Sequence, residues 1–187
     1  MDLVERVKRI LMQPQAEWQT IAGEVATTQS LYMSYIIPLA AIRPVAWIIG
    51  MSIVGMDGFR LSIGSSFAQA VVLYVLTLAG VYGVAFIIDA LALNFSGQKN
   101  MMQALKVSAY ASTASWLGGI LFIIPSISII GSLAGLYSIY LLYLGMPALM
   151  KAPKEKAVAY TVVVVIAAVA VFVLIGVVMS GMIPYSH

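Results

Sequence analysis

The sequence predicts an all-α membrane protein: five transmembrane helices with an N-terminal amphipathic interfacial helix. Three observations predict it. Apolar residues make up 62% of the 187-residue chain, charged residues only 9%, and the mean hydropathy is +1.01. A soluble domain is nearer half apolar and a quarter charged, so most of this surface must face lipid. A soluble globular enzyme, a disordered linker and a secreted disulfide scaffold are thereby excluded. Five stretches reach the length of about 20 mostly apolar residues that a bilayer crossing needs. The cationic residues collect on one side of those five crossings, as the positive-inside bias requires.

Residues 1–30 form a cytoplasmic amphipathic segment. Leu3, Val7, Ile10 and Leu11 follow helical spacing, with Asp2, Glu5, Arg6, Lys8 and Arg9 opposite. A second short piece sets Trp18, Ile21 and Val25 against Glu17 and Glu24. Two readings fit. One is a surface helix that senses lipid or docks a partner. The other is a plain interfacial anchor leading into the first span, with Trp18 in the headgroup layer. Charge interrupts the apolar residues too often for a signal peptide.

Residues 31–187 form the five-span domain. Span one covers about 32–56 and carries Pro38, Arg43 and Pro44. Pro44 biases Arg43 away from helical angles, so this span is expected to kink or break near its centre. Span two covers about 67–93, with Asp89 near its end. Asn94 to Asn100 then makes a polar turn, in which Gly97 permits a tight reversal and Asn100 can cap the next helix. Span three covers about 104–124 and ends at Pro125. Span four covers about 127–150. Span five, about 158–182, carries no charge. Spans three and four together are about twice a crossing in length, which favours a reversal at Pro125 over one long helix.

With five crossings, Arg6, Lys8, Arg9, Lys99, Lys106, Lys151, Lys154 and Lys156 share one side, and Arg60 stands on the other. The N-terminus is therefore expected in the cytoplasm and His187 on the exported side.

The polar residues inside the spans are the candidate site. A charge such as Arg43 at mid-membrane costs roughly 2.5 to 3.5 kcal/mol on insertion scales. It reads as an anion or lipid-headgroup contact, as a snorkelling arginine, or as the partner of Asp89. Span three carries Ser108, Tyr110, Ser112, Thr113 and Ser115, which reads either as a wet groove or as helix–helix hydrogen bonding. Arg43, Asp89, Tyr110 and Ser112 together make the candidate intramembrane polar site. Gly131 and Gly135, and Gly176 and Ser180, have the small-xxx-small spacing that permits close helix packing. Tyr137, Tyr140 and Tyr143 read as packing residues.

Enzymatic chemistry is not indicated. There is no cysteine, which removes disulfides, thiolate zinc sites, iron–sulfur clusters and a cysteine nucleophile. The one histidine is His187 at the last residue, so no histidine metal centre is expected. No phosphate-binding loop, GxSxG, HExxH or dinucleotide fingerprint occurs. Asp89 is the only carboxylate inside a predicted span, whereas a lipid-transferring enzyme needs several to hold a metal. No cofactor, no metal and no nucleic-acid partner are expected.

The chain resembles the short bacterial inner-membrane type of the Yip1 family. The resemblance rests on "LVERVKRILMQPQAEW" at the start, "YIIPLAAIRP" in span one, "IIDALALNFSGQKNMMQALKVSAYASTASWLGGI" through spans two and three, and "GLYSIYLLYLGMPALMKAPKEKAVAYTVVVV" toward the end. It implies five spans, a cytosolic N-terminus and a C-terminus on the far side, in a bacterial inner membrane. Eukaryotic relatives act in early secretory traffic, bind Rab-type GTPases and associate with one another. Their Asp-Leu-Tyr-Gly-Pro motif is absent here, and Ala109-Tyr110 stands where the family has a Gly-Tyr step.

The function expected is that of a non-catalytic membrane protein that organises partners or lipids, by self-association or with another membrane protein. The alternative is a small oligomeric transporter, channel or lipid-handling protein that uses the polar site around Arg43 and Asp89.

Overall fold

The computed structural model describes residues 2–55 and 59–180, and it is helical almost throughout. Asp57, His187 and the expected ends of spans one and five lie outside the described residues. Two short helices, α1 (Leu3–Met12) and α2 (Pro14–Gly23), precede the bundle. Pro14 opens α2 at a position where its missing N–H costs nothing.

Span one is a composite of α3 (Thr28–Leu31), a π-helical turn (Tyr32–Ile36), α4 (Ile37–Ala40), α5 (Ile42–Ile48) and a second π-helical turn (Ile49–Val54). Its break falls at Ala41, and Arg43 itself is helical, inside α5. The sequence put the disturbance at Arg43. The physical reason for the shift is that Pro44 cannot donate to the carbonyl of Ala40 and its ring crowds that carbonyl. The helix therefore gives way before the first turn of α5, where proline is tolerated. Pro38 acts likewise on the turn before it, which widens so that Ile37 N–H reaches the carbonyl of Tyr32.

The long helix α6 (Ile63–Leu91) ends in a 3₁₀ turn, Ala92–Phe95. The reversal that follows is tight. Ser96 is left-handed, and a Cβ on Gly97 would lie 2.8 Å from the carbonyl oxygen of Met150. Asn100 then caps α7 (Met101–Ala111) by accepting the Gln103 N–H at 3.1 Å.

The predicted third span is split at Ser112. It consists of α7, α8 (Thr113–Gly118) and a 3₁₀ turn, Gly119–Ile123. After Pro125 come α9 (Ser128–Met150) and α10 (Lys154–Ser180). Among the described residues four helices are long and apolar enough to cross a membrane: Thr28–Val54, Ile63–Phe95, Pro125–Met150 and Lys154–Val177. The α7–α8 segment is not among them. Its place explains why: α7 packs against both α6 and α9, and Ala104 to Ala111 are all buried. A helix surrounded by protein needs small and hydrogen-bonding side chains more than oily ones. The outward faces of α6 and α10 instead display Phe67, Phe86, Ile166 and Val173.

The N-terminal pair of helices lies on protein. Trp18 is 1% exposed and rests on Gly145 of α9, where a Cβ would come 3.1 Å from the indole. Gly145, having no Cβ, lets the indole lie directly on α9. Ile10 and Ile21 are fully buried, and Tyr137 of α9 donates to the carbonyl of Leu11 at 2.6 Å.

Candidate functional site

The helix α7–α8 presents polar residues on two faces, and each face builds a different site. Gln103, Lys106 and Tyr110 follow at three and four residues, so they share one face. Ser108, Ser112 and Ser115 share another by the same spacing.

The first face meets α1 and α2. Arg6, 5% exposed, donates to Glu17 at 2.5 Å and also pairs with Glu24. Its guanidinium stands 5.7 Å from the centre of the Tyr110 ring. Burial opposes the charge of Arg6, but the hydrogen bond to Glu24, with Tyr110 and Glu17 nearby, outweighs it. The pKa is held above the ordinary arginine value. Lys106, only 2% exposed, donates to the carbonyls of Ile21 at 2.9 Å and Glu24 at 2.5 Å. Those carbonyls end α2, where free acceptors and the negative end of the helix dipole favour a cation. Gln103 donates to the carbonyl of Ala22 at 3.2 Å. Tyr110 packs on Tyr35 and, edge-on, on Trp18, and Tyr35 bonds Thr113 at 2.6 Å. The result is a dense clasp that fixes the N-terminal helices on one end of the bundle.

The second face lines a groove of about 380 Å³ between α6, α8, α9 and α10. That is within the usual range for small-ligand sites. Thr77 of α6, Ser112 and Ser115 of α7–α8 and Ser138 of α9 line it, together with Val169 and Phe172 of α10. Arg43 is exposed in its wall, with its guanidinium 4.5 Å over the ring of Phe122. No carboxylate is found among the described residues that line this groove.

The four residues of the expected polar site therefore part company. Arg43 and Ser112 line the groove together, while Tyr110 belongs to the clasp. Asp89 sits near the other end of α6, where Tyr160 bonds the neighbouring carbonyl of Ile88. Oδ1 of Asp89 is buried with no hydrogen-bond partner among the described residues. The ion pairs among those residues are Arg6–Glu17, Arg6–Glu24 and Arg9–Glu5, so Arg43 and Asp89 do not pair. Of the small residues, Gly131 lies against Gly118 of α8, and Gly135 lies beside Ser115, both within the chain. Gly176 is exposed on α10 with no atom near its Cβ position, and Ser180 is also exposed.

Sequence reading missed Arg6, Glu17, Glu24 and Lys106 as a set. The available signal was the polar stripe Gln103–Lys106–Tyr110 on an otherwise apolar helix. Such a stripe needs a polar partner, and Glu17 and Glu24, seven residues apart, offer a matching face.

No solved structure matches the chain. A family model described as the Yip1 domain matches residues 8–175. The chain is similar to the Inner membrane protein YohC of Escherichia coli strain K12, at 29% identity over 156 residues, covering 79% of this chain and 80% of that protein. It is similar to the same degree and over the same shares to the Inner membrane protein YohC of Escherichia coli O6:H1 strain CFT073. The family model runs from Lys8 in α1 to Ile175 in α10, across most of the bundle, and the chain belongs to the Yip1 domain family.

Proposed function

We propose that this protein is a non-catalytic, lipid-handling protein of a bacterial inner membrane, crossing five times with its N-terminus in the cytoplasm. The observation that carries the lipid reading is the groove, whose mainly apolar lining carries several hydroxyls and one cation. Such a surface suits neither water nor bare hydrocarbon, and suits an amphiphile. The likeness to the inner-membrane YohC proteins supports the location. The buried, hydrogen-bonding character of α7 supports its counting as a crossing that faces protein. That reading agrees with the lysines that precede α7 and follow α9.

Gly135→Trp tests the groove, since a side chain there has only Ser115 Oγ at 3.9 Å before it enters the open space. The full-length protein carries a photoreactive residue at Val169 and is irradiated in native membranes. The expected result is a lipid adduct that is lost in Gly135→Trp. An adduct of equal yield in both would remove the groove as the site.

A second reading, association with another copy or another membrane protein, draws on Gly176 and Ser180. They stand exposed on α10, whereas Gly131 and Gly135 are used inside the chain. Gly176→Leu is then the variant expected to reduce crosslinked oligomer.

A further inference from the structure

We propose, resting on the lipid reading above, that the groove selects an anionic lipid, with its phosphate on the Arg43 guanidinium and its chain along α10. Arg43 is the one charged residue among the described residues lining the groove. It forms no ion pair and no side-chain hydrogen bond among them. What holds it is packing. Phe122 lies under the guanidinium at 4.5 Å. The stem runs against Gly119, where any Cβ would come within 2.8 Å of the Arg43 Cβ. The cation is thus fixed in position with its N–H donors unspent. A guanidinium offers five of them in a planar fork that matches a phosphate.

The hydroxyls of the groove compete only weakly for that anion. Thr77 donates to the carbonyl of Leu73 at 2.7 Å and Ser112 to that of Ser108 at 2.8 Å, while Ser115 and Ser138 bond each other at 2.8 Å, which spends one of their two hydrogens. The hydrogen left over is a single neutral donor, whereas the Arg43 guanidinium brings a charge and several donors. The charged end of a ligand therefore belongs at Arg43. From there Val165, Val169, Phe172 and Ile175 of α10 offer a continuous apolar wall.

The position along the bundle sets the direction of approach. Gly50 packs directly on the carbonyls of Phe122 and Ile123, so it is level with the Pro125 turn. Arg43 precedes Gly50 by about 10 Å of helix, at about 1.5 Å per residue. A head group at the level of that turn is within reach of an extended arginine. The lipid therefore comes from the leaflet that contains the Pro125 turn.

The test uses the full-length protein in mild detergent, offered mixed micelles of phosphatidylglycerol or of diacylglycerol, which lacks the phosphate. Retained lipid is read by native mass spectrometry for the parent, Arg43→Gln, Arg43→Lys and Phe122→Leu. A charged hydrogen bond to the phosphate distinguishes the anionic lipid from the uncharged one by about tenfold or more. That preference is expected in the parent, is lost in Arg43→Gln and is partly regained in Arg43→Lys. If Arg43→Gln does not fold, a weakened preference in Phe122→Leu with total lipid retention unchanged carries the same information, because that side chain lies under the guanidinium as well as lining the groove. Inorganic phosphate at millimolar levels is expected not to displace the lipid, and displacement would make this a free-anion site and overturn the proposal. Equal retention of the two lipids would overturn it while leaving the lipid groove standing. Retention of neither would sink both readings.

Discussion

A methyl group added at Gly131 would collide with the carbonyl oxygen of Gly118, a backbone atom with nowhere to go, while one at Gly135 would meet only Ser115 Oγ at 3.9 Å. Two glycines of identical spacing thus have opposite tolerance. Gly131→Ala is expected to cost about 1–3 kcal/mol, as overpacking does, and Gly135→Ala to stay within about 0.5 kcal/mol. Thermal unfolding of the two variants in the same detergent checks this, and equal midpoints would contradict the close α8–α9 contact. Arg6 makes a similar contrast with Arg9. Glu17→Gln leaves Arg6 paired with Glu24 and removes only one of its two carboxylates, so it is expected to cost about 1–3 kcal/mol, as weakening a buried charged hydrogen bond does. The Arg9–Glu5 pair is solvent-exposed, and Glu5→Gln is expected to change stability by less than about 1 kcal/mol. The raised pKa of Arg6 fixes the pH sense of its contribution. That contribution is fully present below the ordinary arginine value and is lost only above the raised one, so it persists across the physiological range. At this scale Arg43 and Ser112 were legible because a charge or a row of hydroxyls in an apolar run must have a reason. Tyr110 was legible as polar but not as part of the clasp, since nothing local in its sequence separates the two faces of α7. Asp89 was legible only as an intramembrane acid, because pairing depends on where two helices cross.

Among the elements, α7 shows how burial against protein lowers a helix's apolarity. Its low apolarity comes from being the helix that the others surround, and the split at Ser112 lets its second half follow α9 toward Pro125. The long helices were readable from apolar runs alone, and they start two to four residues before the expected positions. The docking of α1 and α2 was not readable. An amphipathic helix has the same pattern whether its apolar face meets lipid or protein, and only the partner's matching stripe separates the two. Lys106→Met tests that docking. It leaves two carbonyls at the end of α2 without a donor, a loss of about 1–3 kcal/mol. Faster proteolysis within residues 1–24, with the rest of the chain still resistant, is the expected outcome. Unchanged cleavage would mean that the Lys106 bonds do not hold the helices down.

For the whole molecule, the number of crossings decides which face each loop occupies. With α7–α8 crossing, a phosphatase fused after Ile127 is exported and active, and a fluorescent protein fused after Ala152 stays cytoplasmic and bright. If α7–α8 did not cross, both reporters would give the opposite result. The charge pattern made the five-crossing expectation possible from sequence. The packing of the bundle was beyond it, because which helix sits at the centre depends on contacts between segments far apart in the chain.

The bond from Tyr137 to Leu11 joins residues 126 apart, and Trp18 waits on Gly145 in the same way. At about 5–20 residues per second, a ribosome needs roughly 6–25 s to make the surface on which the N-terminal helices come to rest. Throughout that interval they are an oily, charged tail with no place to dock, outside the translocation channel. Their seating must be one of the last events in the birth of the protein, because it waits for α9. A nascent chain in which α9 fails to take its place would keep this tail loose and open to proteases.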